Sequence, residues 1–189
     1  MFLNKTQFKK WIKTAYNSRY IKIGMVYDGL VLSNGYWITW TDKNYIPNWL
    51  KAAIMEYTGE LPEDGKLFRA AKGEPVQYEI EINEYLNLPR KFMECTVPFK
   101  ETSVIHGVYR LLQCTHTQEI IGIPEDIYSI LDYKELEEES RPSGPSAADA
   151  YGGIIMWKNE TSALAICKSK INKDEVIQML ETIDFSEGE

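Results

Sequence analysis

Histidine and cysteine are scarce in this chain of 189 residues, which holds two of the first, His106 and His116, and three of the second, Cys95, Cys114 and Cys167. Imidazole is the one side chain whose unperturbed pKa lies near neutrality, so acid–base and metal chemistry have little to draw on. If residues 104–114 run as one strand at about 3.3 Å per residue, the two rings lie on the order of 30 Å apart and share no ion unless the chain folds back. Cys114 and His116 form a C-x-H pair, yet two ligands do not close a tetrahedral zinc site. An odd set of cysteines without close-paired spacing fits reduced thiols better than a disulfide framework. The phosphate loop G-x-x-x-x-G-K-S/T, the dinucleotide fingerprint G-x-G-x-x-G and the serine elbow G-x-S-x-G are all missing, which removes the common nucleotide enzymes and serine hydrolases. Glu79 and Glu81 share one side of an alternating stretch and read as solvated surface, and Glu135 to Glu139 lack the spacing of a calcium loop. The expectation is no catalytic residue, no metal and no cofactor.

Long apolar runs are also absent. None approaches the roughly 18 residues that cross a bilayer, and the opening MFLNKTQFKKW has no apolar core of a secretory signal. These features point to the cytoplasm and to no membrane partner. With 44% hydrophobic and 12% aromatic residues, a chain of this size buries roughly 70% of its unfolded surface. That suffices for a single domain, or for two subdomains divided at about 1–100 and 101–189.

What the sequence has in abundance is strand signal. Residues 20–41, YIKIGMVYDGLVLSNGYWITWT, are nearly unbroken β-branched and aromatic side chains punctuated by Asp28-Gly29 and Asn34-Gly35, a hairpin signature in which Asn-Gly accepts a type I′ turn. A second hairpin is expected from residues 66–71 and 76–82, with Val76, Tyr78, Ile80 and Ile82 on its dry side. Further pairs follow at 104–114 with 118–123, and at 154–157 with 163–167.

Helices are marked by caps and by 3.6-residue spacing. Asn4 and Gln7 make a capping box before Phe8, Trp11, Ile12, Ala15 and Tyr16. Pro47 opens a second helix that Gly59 ends, Pro124 opens a short one, and Asn172 with Glu175 begins the last. Hairpin plus helix recurs at about 20–57, 104–132 and 153–184. The fold class is therefore α+β, a mostly antiparallel sheet built from hairpins with helices on one face. Residues 134–150, rich in Ser, Pro, Gly and acids, read as a mobile loop or linker.

Net charge is −7, but Lys5, Lys9, Lys10, Lys13, Arg19 and Lys22 all precede the first acid, Asp28. Such a basic end suits phosphate, and the acidic run at 135–139 suits a basic partner. Tyr36, Trp37 and Trp40 alternate across one strand, so at least one ring should face away from the main core unless something covers it. Lys9, Lys10, Lys13, Tyr36, Trp37 and Trp40 are the candidate interaction surface. A non-catalytic binding or assembly protein with a protein partner is the first reading. Nucleic acid is the other partner considered, and an enzyme with a site of scattered carboxylates and tyrosines is the third reading.

From about 30 to 168 the order strand, helix, strands, then strand, helix, strands, with Ile46-Pro47 and Ile123-Pro124 opening both central helices, resembles one domain of a DNA sliding clamp. The resemblance implies an accessory factor that associates with DNA. Clamps line their channel with basic helices, whereas the helix from Pro124 carries Glu125 and Asp126.

Overall fold

A computed structural model describes residues 1–132, 136–169 and 171–181. Its α-helices are α1 (Lys5–Ser18), α2 (Asn48–Thr58), α3 (Leu88–Met93), α4 (Glu125–Tyr128) and α5 (Lys173–Glu181). The strands are β1 (Ile21–Val26), β2 (Gly29–Ser33), β3 (Trp37–Asp42), β4 (Leu67–Ala70), β5 (Gln77–Tyr78), β6 (Val97–His106), β7 (Tyr109–Cys114), β8 (Ile120–Pro124), β9 (Ser143–Ala147), β10 (Ile154–Lys158) and β11 (Ser162–Cys167). They form one antiparallel sheet of 11 strands in the order β5-β4-β1-β2-β3-β11-β10-β9-β6-β7-β8. The class is α+β, and no helix among the described residues is long and apolar enough to cross a membrane.

Both faces of the central strands are covered. Along β3, Trp37 joins the larger core with Phe8, Trp11 and Ile12 of α1 and Leu50 and Ile54 of α2, while Ile38 and Trp40 join a second core with Leu86, Leu88 and Met156. Strand β11 splits likewise, Leu164 and Ile166 to the first side, Ala163 and Ala165 to the second. Strands buried on both faces lose the apolar–polar alternation, which is why the sequence around them is continuously apolar. The expectation of helices on one face is corrected accordingly: α1 and α2 lie on one side, and α3 packs on β3, β10 and β11 from the other.

The turns differ in detail from the sequence reading. Tyr27 and Asp28 take the two positive φ values of a type I′ hairpin, 56° and 57°, and Gly29 is the first residue of β2. Gly29 is needed for space, because a Cβ there would collide with the Trp40 indole nitrogen. At the other turn only Gly35 is left-handed, and the Asn34 carboxamide oxygen accepts from the N–H groups of Tyr36 and Trp37 at 2.9 and 3.2 Å. Asn34-Gly35 is therefore an Asx-stabilised loop rather than type I′.

Two expected elements change. The return strand 76–82 pairs with β4 at Gln77 and Tyr78, with one more bond from the Glu79 N–H to the Leu67 carbonyl at 2.9 Å, and Ile80 is 100% exposed. β5 is an edge strand, and the chain leaves it to reach the sheet's second face at α3, so no dry side forms. Within the loop expected at 134–150, Ser143–Ala147 is an interior strand between β10 and β6. Its small residues fit there because a Cβ on Gly144 would collide with the Met156 carbonyl oxygen. Residues 134 and 135 of that stretch lie outside the described part. The three hairpin and helix stretches differ in build: α2 has 11 residues and follows a three-stranded meander, α4 has four.

Candidate functional site

The first helix is where charge and cavity meet. The Asn4 side chain accepts from the N–H groups of Thr6 and Gln7, both at 3.0 Å, and fixes where α1 begins. Phe8, Trp11, Ile12 and Ala15 turn inward. Trp11 lies 5.0 Å from Trp37, and Phe8 makes edge contacts of 6.1 Å with Trp37 and Trp49, ring centroid to ring centroid. This packing leaves Lys5, Lys9, Lys10 and Lys13 exposed on the opposite face.

None of these four lysines forms an ion pair with a described residue, and no acid occurs before Asp28. Lys5 with Lys9 and Lys9 with Lys13 are like charges at i,i+4, each costing an exposed helix roughly 0.2–0.5 kcal/mol. Lys5 also sits in the first turn, where the helix dipole favours anions. The helix thus holds its charges where they work against its own stability.

A cleft of about 400 Å³ runs beside α1. Its helical wall is Gln7, Lys10, Thr14 and Ser18, one stripe at spacings of three and four. The cleft is lined also by Asn34 and Tyr36 of the loop before β3, by Asp126 and Ile127 of α4, and by the buried Trp11 and Trp37. Tyr20 closes one end, its ring flanked by the guanidinium groups of Arg19 and Arg69 at 5.2 and 4.4 Å. Tyr36 is held by its backbone alone: its N–H donates to Asn34, its carbonyl accepts from the Cys167 N–H at 2.9 Å, and the residue is 58% exposed.

The structure divides the sequence-predicted surface. Lys10 and Tyr36 both line the cleft, whereas Lys9 and Lys13 do not and line, together with Lys10, a groove against Ala53, Glu56 and Tyr57 of α2. Trp37 and Trp40 are corrected: at 3% and 5% exposure both are interior. Trp40 points to the second face, where its indole N–H donates to the Tyr27 carbonyl at 3.0 Å. Trp40 does face away from the larger core, as alternation implied, but the second core covers it, and of the three rings only Tyr36 stays exposed. Gln7, Thr14, Tyr20 and Asn34 were missed. The spacing of Gln7, Lys10, Thr14 and Ser18 carried a signal, but nothing local said which loop would face them.

A second, more apolar groove of about 370 Å³ lies on the opposite face, lined by Ile38, Leu88, Cys95, Ile154 and Met156 with Tyr85 at its rim. Burial pushes the Cys95 thiol up, aided by Glu94, and burial pushes Cys167 up as well, so both favour the neutral thiol over a nucleophilic thiolate. The turn at Gly107 folds the chain back between β6 and β7, so the straight-strand distance between the histidines does not apply. Among the described residues no three His, Cys, Asp or Glu side chains gather to hold a metal. His106 lies 3.7 Å from Glu175, and Glu79 is paired with Lys22 at 2.7 Å rather than free on the surface. Compared with known proteins, the chain matches no protein family, no curated protein and no solved structure.

Proposed function

We propose that this chain is a non-catalytic binding protein and that its working surface, the outer face of α1, engages the phosphate backbone of a nucleic acid. The observation that carries this reading is the row Lys5, Lys9, Lys10 and Lys13, unpaired with any described residue and stacked at spacings that cost the helix stability. A row of unpaired charge that weakens its own helix is accounted for when an anion neutralises it. Net charge of −7 does not prevent this, because at physiological salt a Debye length of about 8 Å screens acids elsewhere on the surface.

Binding of a labelled oligonucleotide measured against salt tests the reading. Each phosphate deprived of its lysine should flatten the slope of log K against log salt by roughly 0.7–0.9, so Lys9→Gln, Lys10→Gln and Lys13→Gln together should flatten it by about two. A wild-type chain without salt-dependent binding, or a triple variant that binds unchanged, would sink it.

A clamp-like assembly is the second reading, favoured by α1 and α2 lying side by side with Lys9, Lys10 and Lys13 at their junction. Copies arranged in a ring would place this face on a channel. Light scattering decides, since a monomer at all concentrations removes that reading and leaves the first intact.

A further inference from the structure

We infer that the groove on the second face of the sheet binds a small organic cation, an ammonium group carried on an apolar body. This site is independent of the phosphate-binding face read on α1.

Sheet register builds the floor. Ala165 of β11 is paired with Ile38 of β3 and with Met156 of β10, so a methyl group stands where a longer side chain would fill the hollow. The six-residue α3 packs on these three strands and supplies one wall through Leu88, followed by Cys95, whose Sγ lies 3.5 Å from the Met156 Sδ. Two residues away in each strand's chain stand Tyr36, Cys167 and Ile154, of which Tyr36 and Ile154 are 58% and 44% exposed. A hollow of about 220 Å³ at this rank adjoins the one of about 370 Å³ beside α3, the two sharing Ile38, Tyr85, Ile154 and Ala165. Mostly apolar cavities of roughly 300–1,000 Å³ with a few fixed polar groups are the usual sites for small ligands.

The polar groups of the groove decide the charge of its occupant. Lys91 and Glu94 neutralise each other at 3.0 Å. Asp149 is left over: it forms no ion pair with a described residue, and Lys168 donates to the Tyr151 carbonyl rather than to this carboxylate. Its Oδ1 accepts from the N–H groups of Tyr151 and Gly152 at 2.8 and 3.1 Å, which fixes the carboxylate and leaves the second oxygen without a partner among the described residues. Tyr36 and Tyr85, the latter 40% exposed, add two aromatic rings to the lining. An unpaired carboxylate and aromatic rings both attract ammonium, while the apolar floor accommodates the rest of the molecule. A fatty acid would find the one lysine of the groove already engaged and would face Asp149.

The test is calorimetric titration of the full chain with naphthylmethylamine, naphthylmethanol and naphthoate, which share one apolar body and differ in charge. The amine should bind about three- to 30-fold more tightly than the alcohol, the gain from one exposed ion pair and one cation–π contact, and the carboxylate should bind weakest. Asp149→Asn keeps the acceptor that holds the turn and should weaken the amine about two- to fivefold while leaving the alcohol unchanged. Ile154→Arg puts a cation at a half-exposed position of the groove and should abolish amine binding. Equal binding of the three compounds, tightest binding of the carboxylate, or no binding of the amine overturns the inference. So does either variant if it binds the amine as wild type does. Light scattering tests the other occupant: a wild-type dimer that Ile154→Arg converts to a monomer would mean that a second copy fills the groove, which also overturns it. None of these outcomes bears on oligonucleotide binding by α1.

Discussion

Trp11 of α1 and Trp37 of β3 stack with ring centroids 5.0 Å apart and planes tilted by 31°, fixing the lysine-bearing helix to the strand that follows the Tyr36 loop. Both residues line the cleft, so the packing that holds α1 to the sheet also shapes the cleft beside it. Trp37→Ala removes a ring that is 3% exposed and should lower unfolding free energy by about 3–5 kcal/mol, read from urea denaturation. A decrease below about 1 kcal/mol would mean that α1 is held to the sheet by its other neighbours.

Lys9 sits between Lys5 and Lys13 at i,i+4 in both directions and is exposed. Lys9→Glu converts two repulsive spacings into two attractive ones, each step worth a few tenths of a kcal/mol. The variant should gain about 0.5–1.5 kcal/mol in stability. It should also bind nucleic acid more weakly, a trade of stability against function. Thermal melts and anisotropy on the same preparation check both, and a variant that melts lower than wild type contradicts the account of α1.

Thr41 of β3 and Ser162 of β11 are paired across the sheet, and both hydroxyls are buried without a protein hydrogen-bond partner among the described residues. A buried hydroxyl left without a bond costs about 1–3 kcal/mol relative to a satisfied one. Thr41→Val keeps the shape and removes the polar atom, so the denaturation midpoint should rise by an amount worth about 1 kcal/mol. A lower midpoint would show that the hydroxyl is bonded in solution through water.

Burial raises the pKa of Cys95 and of Cys167 above the ordinary thiol value of 9.0. Alkylation at pH about 8 should therefore lag a free thiol, and should keep climbing above pH 9 where the free thiol levels off. The folded thiols hold their protons longer than the unfolded ones. Their contribution to stability is thus intact below the unfolded pKa and declines as pH rises above it. Mass spectrometry of iodoacetamide-labelled peptides gives the rates, and labelling as fast as a model thiol at pH about 8 would contradict the burial of these groups.

Caps and turn residues were readable because their signals are local. Asn4 with Gln7, Pro47 with Gly59, and Asn172 with Glu175 each mark a helix end through a hydrogen bond or a φ preference spanning only a few residues. Strands β10 and β11 were legible for the same reason, being joined by a short turn. Ser143–Ala147 was not, since its neighbours β10 and β6 are set by tertiary pairing and its small residues answer to backbone crowding at Met156. The stretch at 76–82 misled in the opposite sense, because alternation there meets an edge with no layer to cover it.

The lysine row of α1 was in the sequence, and so were the aromatic residues around residue 37. Composition and spacing determined that the first helix is basic on one face and apolar on the other, since helix geometry alone sorts residues three and four apart. Only the tertiary structure decided that Trp37 and Trp40 are interior, that Lys10 and Tyr36 border one cleft, and that helices cover both faces of the sheet. Those outcomes depend on which distant segments pack together, and burial energy belongs to the assembled surfaces rather than to any one stretch of chain.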